Sequence, residues 1–70
     1  MEGSVMYELQ TEWRRAINNE QFSHDFYLAM AQKSTSPVLK SFFETLAAEE
    51  TKHKQRLEEE YRKAFQSDLG

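Results

Sequence analysis

Seventy residues carry twelve acids against nine bases, a formal charge of −3, with 39% hydrophobic residues and no cysteine. A chain this short buries only about 60% of its unfolded surface, so residues 1–70 make one small domain that calls for a partner, and the lack of cysteine excludes disulfides and thiolate metal centres. No apolar run approaches the ~20 residues that span a bilayer, no basic and then apolar leader opens the chain, and the bases are too scattered for a phosphate-binding stripe; the expectation is a cytoplasmic protein without membrane or nucleic-acid partners.

The first element follows from the spacing of Met6, Leu9, Trp13, Ala16, Glu20, Ser23, Tyr27 and Met30, which alternates three and four residues. That period predicts an amphipathic helix over about 5–33, its seam interrupted in the middle by polar side chains, with Ser4 as its cap. Phe22, Phe26, Ala29 and, from the second helix, Phe65 widen the apolar surface beyond one seam. Such a surface serves either contacts between dimers or a broad core face. Trp13 and Met30 suit core or dimer packing, and His24, four residues after Glu20, either reaches the same level or lies at the seam's flank as a surface or interface histidine.

Ser34, Thr35, Ser36 and Pro37 then break the pattern. Ser36 suits a helix N-cap, and Pro37 suits the first helical position, where a missing N–H needs no partner.

The second seam reads Leu39, Phe43, Leu46, Glu50, His53, Leu57, Glu60 and Ala64, flanked by Phe42 and Tyr61, and predicts a helix over about 37–66. Glu60 near its end is expected to be solvated, as are Glu58 and Glu59, which face Arg62 and Lys63 at i,i+4 spacing. With no strand signal or repeat, the fold class is all-α: an antiparallel helical hairpin that dimerises into a ferritin-like four-helix bundle.

Three seam positions carry the chemistry. Glu20 lies about 15 residues before the turn's centre, and Glu50 and His53 lie on average about 16 after it, so an antiparallel hairpin brings all three to one height. Carboxylate-bridged dinuclear bundles use a Glu from each of two helices and a Glu-x-x-His from each of the other two. One hairpin supplies half of that set, and a two-fold axis at this level would supply four carboxylates and two imidazoles. Oxygen and nitrogen donors without sulfur suit iron or manganese, and zinc also binds such sets. The expected cofactor is two Fe ions per dimer, with Mn or Zn as alternatives.

The run Phe42-Phe43-Glu44-Thr45-Leu46-Ala47-Ala48-Glu49-Glu50-Thr51-Lys52-His53, followed by Leu57 and Tyr61, resembles the ligand helix of rubrerythrins and ferritin-like proteins. Ala16-Ile17-Asn18-Asn19-Glu20 with Phe26, Tyr27 and Ala31 is similar to that family's first helix. Family members of full length join two such hairpins in one chain, whereas the short two-helix encapsulated ferritins, which this chain resembles in length and ligand spacing, build their centre across a dimer interface. The resemblance implies a ferroxidase, with Glu20, Glu50 and His53 as ligands, one carboxylate bridging the metals, and Tyr27 behind them as a hydrogen-bonding or electron-supplying residue. It also implies rings of dimers inside an encapsulin shell for iron storage. The final residues Ser67-Asp68-Leu69-Gly70 do not form a complete shell-docking peptide. Two other readings stay open. One is a rubrerythrin-like peroxide reductase, although no position matches the additional Glu of that chemistry. The other is a metal-free dimerisation module whose polar seam fixes register.

Overall fold

The computed structural model describes the backbone of residues 2–65 and the side chains of residues 5–65. Two α-helices make up this span, α1 (Glu2–Lys33) and α2 (Pro37–Phe65), folded as a hairpin. Neither is long and apolar enough to cross a membrane.

The turn forms as its residues dictate. The backbone N–H of Ser34 donates to the Ala31 carbonyl at 3.2 Å and tightens the end of α1, where Lys33 complements the helix dipole. Ser36 caps α2: its Oγ accepts from the Leu39 N–H at 3.4 Å, and its carbonyl accepts from the Lys40 N–H at 2.9 Å. Pro37 is the first helical residue. At the other end α1 begins at Glu2, so Ser4 lies inside the helix and not at its cap. Gly3 costs a helix about 1 kcal/mol, too little to stop one of this length. The end of α2 expected near residue 66, and the tail Ser67-Asp68-Leu69-Gly70, lie outside the described residues.

Three side-chain hydrogen bonds tie the helices together. Trp13 Nε1 donates to the Leu57 carbonyl at 3.0 Å, Arg14 Nε donates to the Tyr61 hydroxyl at 2.9 Å, and Lys54 Nζ donates to Gln21 Oε1 at 2.6 Å. Near the first two, the Phe65 ring meets Trp13 edge-on at 5.7 Å and Tyr61 at 4.9 Å, so Phe65 packs within the hairpin and does not widen its outer surface. Towards the turn, Phe26, Tyr27, Phe43 and Phe42 form a continuous row of ring contacts across both helices.

Burial shows how the seams are used. Among the described residues only Ala31 and Ala47 are buried, each one position beyond a seam residue. The seams themselves are half-exposed or exposed, with Met6 and Leu9 each at 46% and Leu39 at 52%. The hairpin measures 53 × 22 × 11 Å, one helix thick. A single layer has no second layer to bury its apolar face against.

Candidate metal centre

Glu20 projects from the middle of α1, and Glu50 and His53 project from α2 one helical turn apart. The structure brings the three together: one donor atom from each lies within 4.8 Å of the others. His53 Nδ1 stands 3.8 Å from Glu20 Oε2 and 3.9 Å from Glu50 Oε1. Both separations exceed hydrogen-bonding distance. A triangle of donors this size surrounds a point about 2.2–2.6 Å from each, close to the bond lengths of divalent ions with carboxylate and imidazole ligands.

The electrostatics of the group favour a cation. Glu20 Oε2 is buried and has no hydrogen-bond partner, and a buried acceptor left unpaired costs about 1–3 kcal/mol. The Glu20 carboxyl is pushed above its ordinary value of 4.5, first by the hydrogen bond that the Glu50 carboxyl offers its protonated form, then by burial and by repulsion from Glu50, while His53 pulls the other way. A cation between the Glu20 and Glu50 carboxyls and the imidazole would relieve the repulsion that Glu50 exerts on Glu20 and satisfy the unpaired oxygen. The donor set therefore fits an iron or manganese ion, with oxygen and nitrogen donors and no sulfur.

The site is one-sided. The Glu20 and Glu50 side chains are 25% and 19% exposed, but His53 is 60% exposed. Three protein donors leave further coordination positions to be filled from that open face.

Of the other residues marked in the sequence, Tyr27 stacks on Phe43 at 6.5 Å. Its hydroxyl makes no hydrogen bond to Glu20, Glu50 or His53 among the described residues. His24 does not join the ligand group; its Nδ1 lies 2.9 Å from Asp25 Oδ1. Glu60 is solvated and pairs with Lys63, which also meets Glu59. Gln21 and Lys54 were not legible as site neighbours, although each directly follows a residue of the cluster in sequence. Polar residues off a seam look like an ordinary solvated face until the opposite helix is in place.

The rubrerythrin family matches residues 14–69, a span that contains Glu20, Tyr27, Glu50 and His53. No curated protein and no solved structure matches the chain.

Proposed function

Because the chain belongs to the rubrerythrin family, whose domain implies iron binding, we propose that it is a ferroxidase whose di-iron centre is completed by a second copy. The observation that carries this reading is the one-sided cluster of Glu20, Glu50 and His53 with its unpartnered carboxylate oxygen. A two-fold axis at the ligand level doubles the set to four carboxylates and two imidazoles, the inventory of dinuclear carboxylate bundles. The half-exposed apolar seams on either side of the cluster supply the face that the second hairpin would cover.

Iron held there by Glu20, Glu50 and His53 would supply the redox chemistry, the oxidation of Fe(II) by dioxygen or peroxide. The chain's part is to hold and orient. Glu20, whose carboxyl is held above its ordinary range, offers an unpartnered oxygen to a cation. Glu50 and His53, on consecutive turns of one rigid helix, keep their spacing without a loop. The flanking seam residues exclude water once two hairpins meet. Tyr27, whose hydroxyl is uncommitted within its own hairpin, would be available to a ligand carboxylate of the assembled centre. The exposed Phe22 and Phe26 support association of dimers into a ring, and residence in an encapsulin shell would be read from co-purification with that shell.

Native mass spectrometry of an anaerobic Fe(II) titration tests this. Even-numbered oligomers should gain two irons per dimer, and Glu20→Ala should abolish paired uptake and the oxidation that follows it. A protein that remains iron-free, or a variant that oxidises Fe(II) as the parent does, refutes the reading. Peroxide reduction with an external electron donor is the second reading, favoured by the family match alone. Turnover of peroxide that requires donor and leaves no net Fe(III) would select it.

A further inference from the structure

Lys54 stands four residues after the ligand Glu50, in the order and spacing that most favours an ion pair on a helix, with Glu towards the N-terminus and Lys towards the C-terminus. The same arrangement recurs nine residues later in α2, and there it closes: Lys63 Nζ lies 3.5 Å from Glu59 Oε1. At Glu50 it does not. Lys54 Nζ crosses to α1 instead and donates to Gln21 Oε1 at 2.6 Å in a half-buried position, and no ion pair joins it to Glu50 among the described residues.

Gln21 is held in the orientation this requires. Its Nε2 donates to Asp25 Oδ1 at 2.9 Å, and the same Asp25 oxygen meets His24 Nδ1 at 2.9 Å. With its amide nitrogen committed to Asp25, Gln21 presents its oxygen to the ammonium. The chain Lys54, Gln21, Asp25, His24 thus leads this lysine off to the neighbouring helix.

A lysine on Glu50 would compete with a divalent cation for the same carboxylate. On the metal-centre reading above, we propose that Gln21 is a positioning residue that draws Lys54 away from Glu50 and so keeps the ligand carboxylate open to a divalent cation. Gln21 does not touch the ion; it acts through Lys54.

The test is a Co(II) titration of the full chain, followed by visible absorption, in four forms: the parent, Gln21→Leu, Gln21→Leu with Lys54→Met, and Gln21→Glu. Losing the anchor releases Lys54 to Glu50, and displacing an ion pair of that kind should weaken Co(II) binding about 1.4- to 2.3-fold. Removing Lys54 as well should restore the affinity, and Gln21→Glu, which still holds Lys54, should retain it. Unchanged binding in Gln21→Leu overturns the proposal. So does a double variant as weak as the single one, because a merely structural bridge is lost in both. NMR of the metal-free protein, reading the hydrogen-bond partner of Lys54 Nζ, separates the two levels of argument. Lys54 on Glu50 in the parent overturns this proposal whatever the metal does. Lys54 on Gln21 in a parent that takes up no Co(II) overturns the metal-centre reading, and with it the purpose assigned to Gln21.

Discussion

Glu20 shows how a fold can store a preference for a cation in one side chain. Its carboxyl titrates above 4.5 because the folded chain favours the protonated form. A raised acid of this kind contributes stability that is fully present below the unfolded value and is lost as pH rises through the folded one. The metal-free protein should therefore lose this contribution as pH rises above the ordinary carboxylate value of 4.5. Glu20→Gln, which stays neutral, should flatten that part of the pH profile and make the metal-free protein the more stable of the two at pH 7. Urea unfolding of both proteins at pH 4 and pH 7 measures the difference, and equal pH dependence would show that Glu20 carries no such strain. The same substitution should abolish paired iron uptake, so stability and function should move in opposite directions at one position.

At the scale of the helices, the turn is set by few contacts. Ser36 holds the first turn of α2 through a single long bond to the Leu39 N–H. Ser36→Ala should therefore cost about 0.5 kcal/mol, the low end for an N-cap, or a melting temperature lower by roughly 2–4 °C. Thermal unfolding followed by circular dichroism reads this, and iron stoichiometry should be unchanged. The turn and both helices were legible in the sequence because Ser36-Pro37 interrupts two clear periodic runs, and the heights of Glu20, Glu50 and His53 followed by counting from that turn. The inner line through Ala31 and Ala47 was not legible. A helix whose apolar residues serve both its neighbour in the hairpin and a more exposed face carries two apolar lines, and periodicity merges them into one stripe. The start of α1 was misread for a different reason, since a local Gly-Ser signal is weak against the cooperativity of a long helix.

The whole molecule is a strip 53 Å long and 11 Å thick, with a radius of gyration of 16.1 Å where a compact chain of this length would have about 11 Å. Only two alanines are buried among the described residues, and no large side chain is fully enclosed. If two hairpins pair as proposed above, stability comes largely from association, which ties it to protein concentration. The melting temperature should rise with protein concentration across the micromolar range, and rise again on adding Fe(II) at fixed concentration. A scan independent of both would identify a monomer that is stable alone, contrary to the thinness of the strip.

The open face at His53 also bears on the order of events. A centre inside a finished bundle must be reached through a channel, so its filling is first order in protein and limited by passage. On the proposal that a second copy completes the centre, a cluster lying on the surface of a free strip needs no channel: an ion would land there first and be enclosed when the second strip closed over it. Loading by that route is bimolecular, and its rate would be set by how often two strips collide.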